Sequence, residues 1–173
     1  MSKIINLFSR KEEEVLERMD VNNFRVEIVR PALQLCGLWS ESAENLLIGT
    51  ALAESNLNWV TQVGGGSGLS FFQIESDTYN DVVRYLFRSD NKKLKDRILA
   101  ACMMEIFPEA KCLVWNIRLA VLIARLIYWR RPEPLPKADD IENLAKTWKS
   151  QYNSALGKGT VEHFIKSWNE RVQ

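Results

Sequence analysis

The chain has 173 residues, which suits one compact domain rather than two. Its 46% hydrophobic and 26% charged residues are ordinary for a globular protein and exclude a disordered chain. Lys and Arg number 23 against 22 acids, and the net charge of +1 is spread along the whole length, so the basic excess of a nucleic-acid-binding domain is missing.

Residues 1–20 are expected to form an N-terminal helical extension. Val15, Leu16 and Met19 sit at core-facing spacing in an otherwise charged stretch over 11–20. Met1 to Phe8 holds no apolar run long enough for a signal peptide, so synthesis in the cytoplasm without one is expected. Asn22 or Asn23 is a cap for the next helix, where Phe24, Ile28 and Leu35 repeat helically. Pro31 must kink or restart that helix, and Gly37 is suited to stop it.

Ser40 opens a helix with Glu41 and Glu44 in its first turns, where negative charge suits the dipole. The helix runs through Leu46, Leu47, Ala51 and Leu52 to about Ser55. Asn56 to Leu69 is polar and glycine-rich, with Gly64-Gly65-Gly66-Ser67-Gly68 at its centre, and reads as a loop. A short β-hairpin near 58–72 is the most strand that the pattern allows. Helical spacing resumes at Asp77 with Tyr79, Val82, Val83 and Leu86, and again over roughly 94–104.

The segment 111–130 predicts a buried central helix. Arg118 and Arg125 fall seven apart on one face, which reads as a polar edge and opposes a membrane span. Alternate prolines make 131–136 an extended connector. Asp139 caps a helix bearing Ile141, Leu144, Ala145, Trp148 and Tyr152. Gly157 and Gly159 break the chain, and Thr160 caps a last helix with Val161, Phe164, Ile165 and Trp168 inward. The expected fold is all-α, a single domain over 1–173 with one irregular loop. Cys36, Cys102 and Cys112 lie in apolar stretches without metal-ligand spacing and read as three buried thiols folded in a reducing compartment.

Fold stability does not explain the glycine loop, which directs attention to its neighbourhood. The loop lacks a following Lys-Ser or Lys-Thr and a preceding strand, so neither a phosphate loop nor a dinucleotide fingerprint fits. Glu54 ends the helix that feeds it and shares a face with Leu47 and Ala51. Two readings follow from position alone. A helix-terminal carboxylate can face solvent. A partly desolvated one holds its proton to higher pH and can protonate a leaving oxygen. His163, the only histidine, follows the Thr160 cap by three positions and reads as local or exposed.

The order Gly49-Thr50-Ala51-Leu52-Ala53-Glu54-Ser55-Asn56-Leu57, then Ser67-Gly68-Leu69-Ser70-Phe71-Phe72-Gln73-Ile74, resembles the soluble lytic transglycosylase and goose-type lysozyme group of the lysozyme-like superfamily. Glu54-Ser55 matches the group's catalytic Glu-Ser, and Gln73 its glutamine, with Ser70 where glycine is usual. The group also has an Ala-Tyr-Asn nearer the C-terminus, and Gln151-Tyr152-Asn153 lies in a suitable place for it, after a Trp-bearing helix. Most of residues 24–168 is also similar to phage proteins with lysozyme-like domains.

This resemblance implies a lysozyme-like fold and cleavage of the bond between N-acetylmuramic acid and N-acetylglucosamine in peptidoglycan. It implies Glu54 as the acid and then the base, with Ser55 and Gln73 orienting it or the substrate. Tyr152, with Asn153 beside it, would lie near the reacting group, and Phe71, Phe72 and Trp59 would offer faces for sugars. No cofactor or metal is implied. The partners would be glycan strands and other phage virion proteins, in the virion or, after delivery, in the host periplasm and wall.

Glu75, two residues past Gln73, has two readings. As a second carboxylate across the bond it would activate water and give hydrolysis with inversion. As a helix-start acid it suits the dipole. Two alternatives to the enzyme stand beside it: a structural virion protein that keeps the fold without activity, and a sugar-binding module that uses aromatic residues without Glu54.

Overall fold

The structure, a computed structural model, describes residues 18–153 and 159–172. Of the predicted helix over 11–20, the part up to residue 17 lies outside the described residues, and 18–20 are not helical. Asp20 caps the first helix, accepting the Asn23 N–H at 2.7 Å, so neither Asn22 nor Asn23 is the cap. From there α1 (Val21–Asn23), a π-helical stretch Phe24–Val29 and α2 (Arg30–Cys36) follow without a break. Pro31 explains the wide turn before it. It donates no hydrogen bond and its ring crowds the carbonyl four residues back, and a wider turn relieves both. Gly37 ends α2 in the left-handed region at φ 68°.

Helix α3 (Glu41–Ser55) has the predicted bounds and the predicted cap, with Ser40 Oγ accepting the Ala43 N–H at 3.1 Å. Residues Leu46 through Leu52 are all buried, so neighbours surround it on every side. It packs against α6 (Ile117–Trp129), α7 (Ile141–Trp148) and α8 (Val161–Arg171). Closeness to α8 depends on Gly49, where a Cβ would lie 2.0 Å from Phe164 Cζ. Helix α6 begins later than predicted, because a 3₁₀ turn over Ala110–Val114 precedes it and Asn116 caps it by accepting the Leu119 N–H at 3.0 Å. Arg125 is a correction to the polar edge. It is buried at 6% exposure, its Nε donates to the Leu38 carbonyl, and its guanidinium lies over the Trp129 ring.

Helices α4 (Ser76–Leu86) and α5 (Lys92–Ala101) also pack on α6 and on each other. The connector over 131–136 carries no helix, as its prolines require. Asp140 rather than Asp139 caps α7, which relaxes into a π-helical turn Lys149–Asn153. Gly157 lies outside the described residues. Thr160 caps α8 as expected.

The fold is all-α. Among the described residues the hairpin shrinks to two isolated bridges, Thr61 to Leu69 and Leu69 to Ile74, with no strand. Buried side chains from Val21 to Trp168 form one core. Cys36, Cys102 and Cys112 are free and buried in it, and burial pushes the first two thiols up to about 11. No helix among the described residues is long and apolar enough to cross a membrane.

Glu44 is more than the dipole-compensating acid its position suggests. It is buried, and its carboxylate receives Arg25 Nη1 at 2.9 Å, Arg30 Nε and Nη2 at 2.8 Å each and Trp39 Nε1 at 2.7 Å. Burial alone would raise its pKa, but the donors from Arg30, Trp39 and Arg25 outweigh burial and hold it at about 2. This network ties the first helical stretch to α3. The folded pKa lies below the unfolded one, so its stabilisation is present above about 4.5 and is lost as pH falls toward about 2. Urea unfolding of Glu44→Ala at neutral pH is expected to show a loss of about 3 kcal/mol, because the guanidinium groups stay behind without their anion.

Candidate active site

The end of α3 and the start of its loop are built from backbone that few side chains adopt. Asn56 and Leu57 take φ of 50° and 56° in succession, turning the chain sharply just past Glu54. Leu57 is buried and unsuited to this region, a conformation that persists only when its surroundings hold it. Those surroundings are visible. Arg171 Nη1 donates to Asn56 Oδ1 at 2.7 Å and to its carbonyl at 3.1 Å, and the Leu57 N–H donates to Ser55 Oγ at 3.2 Å.

Ser55 also donates from Oγ to the Phe71 carbonyl at 2.8 Å. Its hydroxyl is thus a buried tie between α3 and the 70–73 turn. Phe72 is fully buried and packs near Phe24, 6.2 Å between centroids, and Phe71 is buried too. Neither ring presents a face for a sugar, which corrects the stacking expected of them. Ser70 has φ 63°, the region where glycine is at ease, and its Oγ accepts the Phe72 N–H at 3.2 Å. The serine keeps the turn that glycine would favour.

Gln73, at φ 48°, donates from Nε2 to the Ser70 carbonyl at 2.9 Å. Gly68 makes this placement possible, since a Cβ there would lie 2.7 Å from Gln73 Oε1. Tyr152 donates its hydroxyl to the Phe72 carbonyl at 2.7 Å and stacks on Tyr128. Tyr128 in turn meets Thr50 Oγ1 of α3 at 2.7 Å. Burial holds both phenols protonated far above the usual range. The π-helical turn, the loop and α3 are therefore locked together around one point.

That point is Glu54. It lies in a cleft of about 840 Å³, whose walls also include Trp59, Gln73, Glu75, Tyr152 and Asn153. Trp148 Nε1 donates to Glu54 Oε1 at 3.0 Å, and the Asn153 side chain hydrogen-bonds the same carboxyl group. Lys149 Nζ donates to Asn153 Oδ1 at 2.9 Å, leaving the Asn153 amide nitrogen as the donor toward Glu54. Gly159 makes room for both donors, because a Cβ there would lie 2.4 Å from Trp148 Cη2 and 2.9 Å from Asn153 Nδ2.

Burial raises the Glu54 pKa, and the bonds from Trp148 and Asn153 and the field of His163 only partly oppose it, leaving it near 7. The negative end of α3 acts in the same direction as burial. Of the two readings of Glu54 from position alone, the geometry is that of the desolvated acid.

Six of the nine residues singled out from sequence, Glu54, Trp59, Gln73, Glu75, Tyr152 and Asn153, border the cleft, whereas Ser55, Phe71 and Phe72 are buried. Glu75 is exposed, precedes α4 and makes no capping bond with its side chain. Trp148 is the contact that sequence reading missed. Its spacing marks a core residue, and it is one, but its indole N–H is turned to a carboxyl group 94 positions away. His163 is exposed, as read, and its Nε2 meets the Ala53 carbonyl at 2.9 Å with its ring 6.5 Å from that of Trp148. Among the described residues no group of three or more His, Cys, Asp or Glu side chains is placed to hold a metal ion.

Comparison with family models, with curated proteins and with solved structures returns no match.

The raised pKa makes a prediction about stability that needs no substrate. A carboxyl group whose folded pKa exceeds its unfolded value destabilises the fold once it must ionise. The penalty is absent below about 4.5, grows as pH rises and is complete above about 7, where it is of the order of 3 kcal/mol. Thermal melts of Glu54→Gln are therefore expected to match wild type at pH 4 and to exceed it by several degrees at pH 8. Equal melting temperatures at both values would show that Glu54 is solvated.

Proposed function

We propose that this chain cleaves peptidoglycan glycan strands with Glu54 as general acid, in the manner of the lytic transglycosylases and goose-type lysozymes that its motifs resemble. The observation that carries this reading is the Glu54 carboxyl group, protonated near neutral pH by burial and held by Trp148 and Asn153 within a cleft open to a polymer. Trp59, 45% exposed on the cleft wall, offers an aromatic face suited to a sugar ring.

Glu54 gives its proton to the glycosidic oxygen as the bond to the muramic acid residue breaks. The N-acetyl oxygen of the substrate shields the positive charge that develops on the sugar. Ionised Glu54 is then stabilised by the Trp148 and Asn153 donors already in place, so the site needs little rearrangement between its two states. The carboxylate next removes a proton from the sugar 6-hydroxyl, which closes an anhydro ring and returns Glu54 to its starting form. Glu75 stands exposed at the cleft, whereas Glu54 is largely buried, and this contrast favours one acid doing both transfers over a pair of carboxylates with inversion. Action in a phage particle or at the host wall belongs to the same proposal.

Purified cell wall provides the test. Wild-type protein is expected to clear it, with a rate that falls as pH rises through about 7, and Glu54→Gln is expected to be at least about a hundredfold slower. Equal clearing by both would remove Glu54 from the chemistry, and no clearing by either would favour the virion structural protein. Released fragments with anhydro ends would identify a transglycosylase, and reducing ends a hydrolase.

A further inference from the structure

Beside the Glu54 cleft lies a second hollow of about 430 Å³ that shares two residues with it. Arg130 and Arg131, at the end of α6, border both spaces. Arg84, Arg88, Tyr85 and Asp81 complete the second one from α4 and the residues that follow it. Four guanidinium groups thus face one carboxylate, although the chain as a whole is nearly neutral. Asp81 is hydrogen-bonded to Arg130 and lies 3.6 Å from Arg84. Among the described residues no carboxylate forms an ion pair with Arg88 or Arg131. Arg88 lies over the Tyr85 ring, its Cζ 5.4 Å from the ring centroid.

We infer that this arginine hollow is a subsite for carboxylate groups borne on peptides attached to the polymer in the adjoining cleft. The inference rests on the reading of that cleft as a glycan site. Continuity carries it: a substituent leaving a strand bound beside Glu54 meets Arg130 and Arg131 first and Arg84 and Arg88 beyond, and among the described residues Arg131 and Arg88 form no ion pair. Guanidinium groups match planar carboxylates with two parallel hydrogen bonds. Asp81 favours a singly charged carboxylate over a dianionic phosphate, because its own charge remains inside the hollow.

The test compares intact cell-wall sacculi with sacculi stripped of their peptides by an amidase, using wild type and an Arg84→Gln/Arg88→Gln variant. Both substituted residues lie outside the Glu54 cleft. Wild type is expected to clear peptide-bearing sacculi with about tenfold higher kcat/KM than stripped ones. The variant is expected to lose that preference and keep the wild-type rate on stripped sacculi. An undiminished preference in the variant, or none in wild type, overturns the subsite and leaves cleavage standing. Co-sedimentation of Glu54→Gln protein with both kinds of sacculi reads the subsite without turnover. Retention on peptide-bearing sacculi that depends on Arg84 and Arg88 supports it even if wild type cleaves nothing, and retention independent of them overturns it. Displacement by polyphosphate at lower concentration than by free wall peptide would overturn the carboxylate assignment in favour of phosphate.

Discussion

Helix α3 runs through the interior, and the polar side chains it buries must find partners among their neighbours instead of in water. Its carboxyl groups at Glu44, buried, and Glu54, half-buried, meet this constraint in opposite ways. Glu44, in the first turns, is surrounded by Arg25, Arg30 and Trp39 and stays ionised. Glu54, ten positions later, receives neutral side-chain donors from Trp148 and Asn153 and is held near the point of protonation. One helix thus presents a structural anion at its start and a chemical acid at its end, and the difference is made by what packs around each.

The neighbourhood of Glu54 is costly in backbone terms. Asn56, Leu57, Ser70 and Gln73 all take positive φ, and Gln73 lines the cleft itself. Such positions persist where surrounding bonds over-determine them, and they gather at working sites. Here Ser55, Arg171 and Tyr152 supply the bonds. The π-helical turn Lys149–Asn153 belongs to the same pattern. By widening the helix after Trp148 it brings Tyr152 to the Phe72 carbonyl while Asn153 reaches Glu54.

The extent to which all this is written in the sequence varies with range. Local signals carried through: Ser40 and Thr160 cap their helices, Gly37 stops one, and the bounds of α3 follow from its capping and apolar spacing. Signals of the next range slipped by a turn or less. Asp140 caps in place of Asp139, and a 3₁₀ turn takes the residues that an apolar run assigned to the start of α6. Long-range packing was not legible. The periodicity that puts Phe72 among the aromatic residues does not say whether its ring faces the cleft or the core. Nor does an inward spacing reveal that the Trp148 indole ends on a carboxyl group. Within the loop, Gln73 and Glu75 reach the cleft of Glu54 because bonds such as Ser55 to Phe71 close the 56–70 segment onto the end of α3. The donors that tune Glu54 come from the far end of the chain.

The central claim is that burial, moderated by two neutral donors, places the Glu54 carboxyl group near neutrality. Carbon-detected NMR titration of that carboxyl group, with the Trp148 indole N–H followed in parallel, measures it directly. The account predicts a midpoint near 7 for the carboxyl carbon and the same midpoint in the indole resonance, because the two groups share a hydrogen bond. A midpoint in the ordinary range near 4.5, with an indole signal indifferent to it, would contradict the account.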